Sequence, residues 1–524
     1  MKELPISTQS FEVLRNNNFI YADKTKHIYD LIKNGRVYFL SRPRRFGKSL
    51  LISTFEELFK GNKKLFKGLY IYDKWNWEET NPIIHLDFSE KEYEAGKELK
   101  TSLLKFVRDT AEKNDIFLPD IDKGLLSSNF SELIEKLHKK TGSPVVILVD
   151  EYDKPITDNL SNKEVLDANK RTLHDFYQVI KAADKHLNFV FLTGVSKFSG
   201  LSVFSALNSI NDITVDKKYS AICGYTQEEL EYNFKDHILA AAKELNLSYD
   251  EIISIIKEWY NGYSWDGAIK VYNPFSTLLL FDKKEFENYW FETGTPTFLL
   301  DLIRKHNKPQ DFLETAEISR KSFESYDPDD LRELPLLFQT GYLTVKSKKV
   351  SPDGTQYTLG FPNKEVKDSF LQNLLAYYTQ YSTADFTEKR KKIMKQFQGC
   401  DEGGLQDSLT ALLAQIPHQI RREAYYHTVF LIWLKMLDFD IQGEISTDKG
   451  SIDAVLKLND FVIVSEIKFS ENKSLETMLK AAFKQIKDKK YYESYLDKKI
   501  ILLAIAFNGK AVKCKFKKPD DKLA

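Results

Sequence analysis

Three apolar segments in the N-terminal half of the chain end in polar side chains that suit phosphate binding. They begin at Val37, Pro144 and Asn188, and the first leads into a helical pattern from about Leu50 to Phe59. Uninterrupted apolar runs of this length are typical of strands buried on both faces of a parallel sheet. Because parallel strands deliver their carboxyl ends to one edge of a sheet, the sequence predicts an α/β domain with a phosphate site at that edge.

The loop after the first strand reads Ser41-Arg-Pro-Arg-Arg-Phe-Gly-Lys-Ser49. Strand, Gly-Lys-Ser loop and helix occur here in phosphate-loop order. We expect backbone N–H groups at the helix start to cradle phosphates, Lys48 to reach the β- and γ-phosphate oxygens, and the Ser49 hydroxyl to hold Mg²⁺. Arg42 replaces the first glycine of the usual GxxxxGK[ST] pattern, so the match is imperfect.

Acids and hydroxyls end the other two segments. We expect Asp150 to support Mg²⁺ through its water and Glu151 to orient the water that attacks the γ-phosphate. Thr193 or Ser196, at the end of the third segment, is a candidate sensor of the γ-phosphate. Two alternatives stay open, because the acids could cap the next helix and Thr193 could bond only to backbone. The coincidence of three such strand ends favours a nucleotide site.

The role of two arginines in this loop stays open. Arg44 and Arg45 either clamp phosphate or pair with surface acids. The residues predicted to bind the nucleotide or its metal are Arg44, Arg45, Phe46, Gly47, Lys48, Ser49, Asp150 and Thr193.

A second constellation lies near the C-terminus, where β-branched apolar runs begin at Gly450 and Phe461 with Asn459-Asp460 between them. This pattern is typical of a β-hairpin. With those two residues as the loop, Asp453 faces Glu466 across the hairpin, and Lys468 shares their face. Opposed carboxylates inside apolar strands repel unless a cation lies between them, which a divalent metal beside an ammonium provides. The alternative is an exposed hairpin whose polar residues face solvent.

Between these two constellations the chain is helical and aromatic-rich, from Tyr225 to about Ile303. We interpret its aromatic residues as core rather than as base-stacking platforms. A short helix from Leu331 and a hairpin around Asp353-Gly354 follow, an order that suggests a winged-helix-like module. The lysines of this hairpin only slightly favour a role in binding nucleic acid. The alternative is that the module is a lid or contacts another protein. They are Lys346, Lys348 and Lys349.

At 524 residues the chain exceeds what one hydrophobic core supports, so about three domains are expected. We place a phosphate-loop domain at 1–224, a helical lid and winged-helix-like region at 225–385, and a third domain at 386–524. The third domain starts with a helical pattern that reaches Gln415. A turn and flexible junction are predicted within it, from Cys400 to Gly404.

The overall charge gives no general attraction to nucleic acid, since Lys+Arg and Asp+Glu both number 76. Eleven lysines and three acids nevertheless fall between Lys484 and Lys518, a local net charge of +8 that is most simply a solvated surface. Three widely spaced cysteines argue against disulfides and structural zinc, which suits a reducing cytosol. Without an apolar leader or a run long enough to cross a bilayer, we expect a cytoplasmic protein with no membrane contact.

Two helical patterns flank the C-terminal hairpin. The upstream helix carries Glu423 and His427 one turn apart on one face. The downstream helix is predicted from about Leu479 to Tyr495 and carries Gln485 and Tyr491. The order α-β-β-α-β with these polar residues resembles the PD-(D/E)XK nuclease superfamily, whose fold is restriction-endonuclease-like.

This resemblance implies roles for the hairpin residues. Asp453 matches the first acid of the superfamily motif, and Glu466-Ile-Lys468 matches its Glu-x-Lys element. Asp453 and Glu466 would then bind Mg²⁺ or Mn²⁺, with the backbone carbonyl of Ile467 completing the coordination. Lys468 would position the attacking water and stabilise the phosphorane.

The resemblance also implies that Glu423 binds a second metal or holds the first through water. Gln485 and Tyr491 would orient the substrate or Lys468. The alternative is that Glu423, Gln485 and Tyr491 lie on ordinary solvated helix faces. The implied catalytic residues are Glu151, Glu423, Asp453, Glu466, Lys468, Gln485 and Tyr491. The implied metal ligands are Ser49, Asp150, Asp453, Glu466 and Ile467.

The N-terminal half resembles the AAA-ATPase-like domain that precedes such a nuclease domain in many bacterial proteins. Arginine at position 42 matches the pattern of this family. Its presence is therefore expected to affect the turnover rate of ATP more than the binding of the nucleotide. The motifs that carry the resemblance are Arg42-Pro-Arg-Arg-Phe-Gly-Lys-Ser49, Asp150-Glu-Tyr-Asp-Lys-Pro155, Thr193-Gly-Val-Ser-Lys-Phe198, Tyr272-Asn-Pro-Phe-Ser276 and Leu337-Phe-Gln-Thr-Gly-Tyr-Leu343.

Residues and resemblance together indicate an ATP-binding protein with metal-dependent phosphodiesterase activity on nucleic acid, gated by nucleotide state. ATP and Mg²⁺ (or Mn²⁺) are the expected cofactors, DNA is favoured over RNA, and a homo-oligomer is left open. One alternative is a nucleotide-switched module whose inactive nuclease fold only grips nucleic acid, although the opposed Asp453 and Glu466 argue against it. The other is a signalling ATPase with a protein partner, which the balanced charge leaves open.

Overall fold

The structure is a computed structural model of the 524-residue chain. It describes residues 1–89, 99–198, 210–290, 317–324, 327–328, 332–379, 383–414, 423–437, 440–447, 450–458, 461–490, 492–495, 497–509 and 511–519. Within these ranges the side chains of residues 383–389, 423–425, 427, 440–447, 450–453 and 494 are not described. Two compact units are present, the first of Met1–Thr293 with Glu317–Glu365 and the second including Val366–Ala524.

The first unit combines twelve described helices with eight strands. Its helices are α1 Phe11–Asn16, α2 Thr25–Asn34, α3 Lys48–Phe59, α4 Leu99–Lys113, α5 Leu126–Thr141, α6 Lys154–Thr157, α7 Lys163–Ala182, α8 Gln227–Asn233, α9 Lys235–Glu244, α10 Tyr249–Tyr260, α11 Pro274–Lys283 and α12 Glu333–Thr340. Its strands are β1 Val37–Ser41, β2 Ile83–Asp87, β3 Val145–Asp150, β4 Leu187–Gly194, β5 Asn211–Asp212, β6 Glu317–Ser319, β7 Thr344–Ser351 and β8 Gly354–Gly360.

Helix α13, Lys364–Tyr378, runs from the first unit into the second. The remaining elements of the second unit are α14 Thr383–Gln398, α15 Glu402–Leu413, α16 Glu423–Met436, β9 Asp440–Thr447, β10 Gly450–Lys457, β11 Phe461–Phe469, α17 Leu475–Lys489, β12 Lys499–Phe507 and β13 Val512–Lys517.

Strands β1 to β5 form a parallel sheet in the order β2-β3-β4-β1-β5. Every residue of β3 is buried, and helices α3 and α5 contact this strand. A strand that is apolar along its whole length requires cover on both faces, which is why these runs form the interior of the sheet. The predicted parallel α/β domain is confirmed. Because β3, β4 and β1 are neighbours, the ends of all three predicted strands meet at one edge.

Helices α8 to α11 surround an aromatic core. Tyr260 and Tyr272 are fully buried in it. Tyr263 and Trp265 are also buried and pack edge-on against Phe46 of the phosphate loop, with ring centroids 4.7 Å and 5.5 Å away. The prediction that these aromatic residues form core is confirmed, and part of that core supports the phosphate loop.

Helix α12 leads into the antiparallel hairpin of β7 and β8, and β6 pairs with β8 on its other edge. Helix and hairpin occur as predicted. Lys348 and Lys349 are exposed on the hairpin. Lys346 differs from them, because its Nζ donates to the carbonyls of Phe361 and Pro362 at 2.6 Å and 3.2 Å. Lys348 and Lys349 therefore form an exposed basic surface, with the Lys348 ammonium 5.6 Å from the centre of the Tyr357 ring.

The turn predicted from Cys400 to Gly404 is shorter than expected. Cys400 has a positive φ of 51°, and Asp401 caps α15 by accepting the N–H of Gly404 at 3.0 Å. Gly403 and Gly404 consequently lie in the first turn of α15 rather than in a flexible junction. A carboxylate that accepts N–H bonds at a helix start stabilises the helix enough to include two glycines.

Strands β9 to β13 form the sheet of the second unit, in the order β13-β12-β11-β10-β9. The hairpin of β10 and β11 is confirmed, whereas β9 and β13 were not predicted. The downstream helix was predicted to reach Tyr495, which is wrong. It ends at Lys489, where Lys490 takes a left-handed conformation and terminates it.

Replacing Gly262 with alanine is expected to destabilise the first unit. Gly262 has a φ of 121°, and an added Cβ would lie 2.1 Å from the carbonyl oxygen of Pro362. We expect a loss of roughly 2–4 kcal/mol, from backbone strain together with the steric overlap. Gly354→Ala is the matched control, since its φ is 129° but nothing lies within 4 Å of the added Cβ. Equal losses of both variants in thermal unfolding would contradict the steric contribution.

Candidate functional site

The phosphate loop connects β1 to α3, and its backbone leaves the start of α3 open. Gly47 precedes the helix in a left-handed conformation with φ 86°, and Arg45 also has a positive φ of 67°. No described side chain caps this helix, and a Cβ built at Gly47 would have nothing within 4 Å. The first N–H groups of α3 therefore face open space, as binding of an anion at a helix start requires.

Lys48 is held within the loop. Its side chain is buried, and its Nζ donates to the Pro43 carbonyl at 3.1 Å. This bond bends the lysine back over the loop and places the ammonium where the loop and the start of the helix meet. A compact cation at that point suits phosphate oxygens bound by the same backbone.

A buried carboxylate faces the start of α3 from the end of β3. Asp150 is buried, its side chain hydrogen-bonds with Ser49, and burial raises its pKa against the opposing effect of Lys48. Glu151 follows with a positive φ of 49°, and burial raises the pKa of this acid too. A serine hydroxyl beside a poorly solvated carboxylate fits the oxygen ligands of a magnesium nucleotide.

These groups open into a cleft of ≈ 400 Å³. The predicted residues that line it are Arg44, Arg45, Phe46, Gly47, Lys48, Ser49 and Glu151. Lys154 and Phe275 line it as well, and the guanidinium of Arg45 lies 4.9 Å from the centre of the Phe275 ring. Neither residue was singled out from the sequence. Lys154 belongs to the motif that starts at Asp150, and this closeness in sequence to Asp150 and Glu151 could have indicated that it lies at the same cleft.

The third strand end does not reach the cleft lining. Thr193 is fully buried, and its hydroxyl donates to the Leu40 carbonyl at 2.9 Å, the backbone bond that the sequence left as the alternative. The N–H of Ser196 donates to Asp153 at 2.7 Å, and Val195 N–H donates to the same carboxylate. Asp153 thus ties the turn after β3 to the turn after β4, which holds Glu151 and Lys154 at the cleft.

Arg42, in the place of the usual glycine, is fully buried and points away from the cleft. Its guanidinium donates to the carbonyls of Ser41 and Thr214 at 2.8 Å and of Tyr219 at 3.2 Å. It also lies 3.8 Å from the Trp265 ring centroid, and burial lowers its pKa to about 10. The arginine therefore fixes the shape of the loop from behind rather than binding phosphate.

The register of the C-terminal hairpin follows the predicted pairing. The described pairs are Ala454 with Ser465, Val455 with Val464, Leu456 with Ile463 and Lys457 with Val462. The next pair in this register is Asp453 with Glu466. The side chain of Asp453 and the loop Asn459-Asp460 lie outside the described residues, so the opposed acids stay a prediction built on a confirmed register.

Glu466 and Lys468 form an ion pair within β11. Glu466 is 1% exposed, and Lys468 Nζ lies 2.9 Å from its Oε1 while the lysine side chain is 27% exposed. Alternation along β11 puts both on the face of Val462 and Val464, which pack against α17. The pair joins a desolvated acid to a partly solvated ammonium, an arrangement suited to a cation and a phosphate arriving together.

Helix α16 packs on the opposite face of this sheet. Tyr426 stacks against Phe469 and packs edge-on against Phe507, with ring centroids 4.9 Å and 4.5 Å away. The side chains of Glu423 and His427 lie outside the described residues, so the predicted approach of Glu423 to the metal is not tested. Among the side chains that are described, no group of three or more acids, histidines and cysteines could hold a metal.

The remaining candidates lie around α17. Gln485 is half-buried on this helix, and Tyr491 lies outside the described residues. The lysine-rich segment reaches the other side of α17, where Lys513 pairs with Glu476 and Lys517 lies 5.2 Å from the centre of the Phe483 ring. Glu476 and Phe483 lie about half a turn around the helix from Gln485, so the basic flank and Gln485 face different directions.

Comparison with known proteins identifies both regions of the chain. A family model described as Predicted AAA-ATPase matches residues 5–204, and one described as PD-(D/E)XK nuclease superfamily matches residues 421–517. A protein of Azotobacter chroococcum mcd 1, named "Uncharacterized protein in vnfD 5'region", is 39% identical over 503 residues that cover 94% of each chain. The chain belongs to the AAA-ATPase-like proteins with a PD-(D/E)XK nuclease domain. No solved structure matches it.

Two further findings bear on the AAA-ATPase-like chain as a whole. In the part of the chain that the structure describes, no helix combines the length and apolarity needed to span a membrane. The two matched families generally use a nucleotide and a divalent metal.

Exchanging Asp150 for asparagine is expected to stabilise this AAA-ATPase-like protein. Burial raises the pKa of Asp150 above its ordinary value of 3.8, so folding disfavours the charged form. The gain should be present at pH 7 and disappear as the pH falls to about 3.8, where the unfolded carboxyl also takes up its proton. Thermal unfolding at both pH values checks this, with exposed Asp109→Asn as control. A loss of stability at pH 7 would contradict it.

Proposed function

We propose that the protein is an ATP-binding, metal-dependent nuclease. The observation that carries the proposal is the Glu466–Lys468 ion pair, buried at its acidic end, in a hairpin whose described pairs run from Lys457–Val462 to Ala454–Ser465. The opposition of Asp453 and Glu466 is the prediction that continues this register. Two acids and a lysine on one face of neighbouring strands form the smallest set that can bind a divalent cation and stabilise a pentacoordinate phosphate. DNA is the proposed substrate.

In the nuclease-like domain, Asp453 and Glu466 would hold the metal together with the carbonyl of Ile467. A divalent cation bound there supplies a nucleophilic water and neutralises charge on the scissile phosphate. Lys468 already lies beside Glu466, and its partly solvated ammonium can turn towards the phosphate as negative charge develops. Glu423, Gln485 and Tyr491 complete the proposed site as outer ligands or substrate-orienting groups.

In the AAA-ATPase-like domain, the N–H groups at the start of α3 and Lys48 would bind the phosphates. Ser49 and Asp150, hydrogen-bonded to each other, would hold the magnesium nucleotide. Glu151 lines the same cleft, and its pKa is raised by burial, so this acid can accept a proton from an attacking water. Binding of ATP is therefore proposed together with hydrolysis.

Lys48→Ala is expected to abolish ATP binding, since it removes the one buried cation that lines the phosphate cleft in the described chain. The affinity should fall at least tenfold, roughly the contribution of one charged hydrogen bond. Glu151→Gln should bind ATP but hydrolyse it slowly. Titration calorimetry and phosphate release measure the two effects, and exposed Lys26→Ala is the control. Undiminished affinity in Lys48→Ala would remove the phosphate-loop assignment.

The nuclease proposal is tested with labelled DNA and RNA, single- and double-stranded, with and without Mg²⁺. Asp453→Ala and Glu466→Ala should lose Mn²⁺ binding and cleavage together. Lys468→Ala should still bind Mn²⁺ while cleavage falls by roughly two to three orders of magnitude, the loss typical of one electrostatic stabiliser. Lys391→Ala, an exposed lysine on α14, is the matched control.

Two outcomes of this experiment would overturn the nuclease assignment. If Asp453→Ala cleaves and binds metal like the parent, the acids are surface residues. If the parent binds nucleic acid without cleaving any substrate of the panel, the chain is a nucleotide-switched binding module with an inactive nuclease fold.

A further inference from the structure

One buried carboxyl group, that of Glu365, joins both walls of the phosphate cleft. Glu365 is fully buried in the first unit. Its Oε1 accepts two hydrogen bonds, from the Ser276 hydroxyl at 2.9 Å and from the Trp290 backbone N–H at 2.7 Å. These donors belong to two segments of the chain that are separate in sequence, and each segment leads to a different wall of the cleft.

One of the two donors, Trp290, is also hydrogen-bonded to the phosphate loop. Its indole Nε1 donates to the Arg44 carbonyl at 3.2 Å. The loop is packed closely at the neighbouring position too, because a Cβ added to Gly341 would lie 2.7 Å from the Cβ of Pro43 and 3.3 Å from the Trp290 ring. A displacement of Arg44 therefore strains or breaks its bond to Trp290, and Gly341 packs closely against both Pro43 and the Trp290 ring.

The other donor, Ser276, belongs to helix α11, which forms one wall of the cleft. It lies in the first turn of α11, whose Pro274, Phe275 and Leu278 line the cleft. Phe275 in turn lies beneath the guanidinium of Arg45. Any ligand that draws Arg45 towards its phosphates changes the surroundings of Phe275 and thereby the first turn of α11, where Ser276 is bonded to Glu365.

Glu365 is also placed at the exit from the first unit. It is the second residue of α13, and the next residue, Val366, begins the C-terminal segment of the second unit. Backbone hydrogen bonds of a helix join each residue to the one four positions on, so a shift of its first turn is passed to the turns that follow. The Glu365 carboxyl is therefore hydrogen-bonded to segments from both cleft walls where the chain passes from residue 365 of the first unit to residue 366 of the second.

We propose that Glu365 is a positioning residue that transmits nucleotide binding from the phosphate cleft to α13 and so to the nuclease-like unit. This rests on the proposed nucleotide site and names the element through which that site regulates the second unit. Coupling of this kind is reciprocal, so occupancy of the second unit also changes nucleotide affinity.

The unpaired oxygen of Glu365 favours a second arrangement of the contacts that join the cleft to α13. Its Oε2 has no hydrogen-bond partner in the described part of the chain, and burial raises its pKa to about 8. A buried oxygen without a partner is costly, so a rearrangement that pairs it is favourable. Movement of Trp290 or of α11 changes which groups can reach it, and the carboxyl can respond to either wall.

The test measures amide hydrogen exchange of residues 366–378 in the full chain, with and without Mg²⁺ and ATPγS. We expect nucleotide to change the exchange rate at least about fivefold, the lower end of typical coupling between sites. Glu365→Ala and Trp290→Phe should abolish that change. Trp290→Phe removes the indole donor to Arg44 and keeps the backbone N–H that bonds Glu365. Glu365→Gln keeps an oxygen acceptor and should retain it, which a merely structural loss would not allow.

Trp75→Phe is the matched control, because the Trp75 indole N–H has no hydrogen-bond partner among the described residues and its ring packs against Phe59, which does not line the cleft. The inference is overturned if ATPγS binds the parent without changing exchange in α13, or if Trp290→Phe responds like the parent. Absence of ATPγS binding to the parent would instead remove the nucleotide site itself. Calorimetry on the same samples separates these results.

Discussion

The phosphate loop takes its position from one buried cation, the guanidinium of Arg42. A fully buried charge is stable only when carbonyl groups and an aromatic face surround it, and here they come from β1, from the turns after β5 and from Trp265 of the helical region. Those segments cannot move apart without exposing or unpairing the charge. The loop in front of Arg42 is therefore rigid at its base and open where the first turn of α3 begins.

Both candidate sites place a buried carboxylate close to one lysine at or near the end of a buried strand. Asp150 is influenced by Lys48 across the loop, and Glu466 pairs directly with Lys468 two residues along β11. A single ammonium only partly compensates a desolvated acid, so each site gains when a divalent cation or a phosphate-bound cation arrives. Buried charges that are only partly compensated in this way reduce the stability of the fold.

Sequence patterns predicted the elements whose signal is local and continuous. The apolar runs that became β3 and β11 were recognisable because every residue, or nearly every residue, is buried. Strand β13 was missed because its lysines alternate with buried Val512 and Cys514, and a charged alternating strand is easily taken for a solvated segment. The end of α17 was missed because a lysine, rather than glycine, takes the left-handed position.

The sequence by itself determined the three buried strands that end in polar residues, the loop after the first of them and the hairpin register, since each depends on residues within a short distance along the chain. Tertiary structure alone decided which side chains reach the cleft: Thr193 turned to a backbone carbonyl, while Lys154 and Phe275 entered the lining. It also joined Trp290 to the loop and to Glu365, residues far apart in sequence. Periodicity fixes the face of an element, whereas side-chain partners depend on packing between distant segments, which no local pattern records.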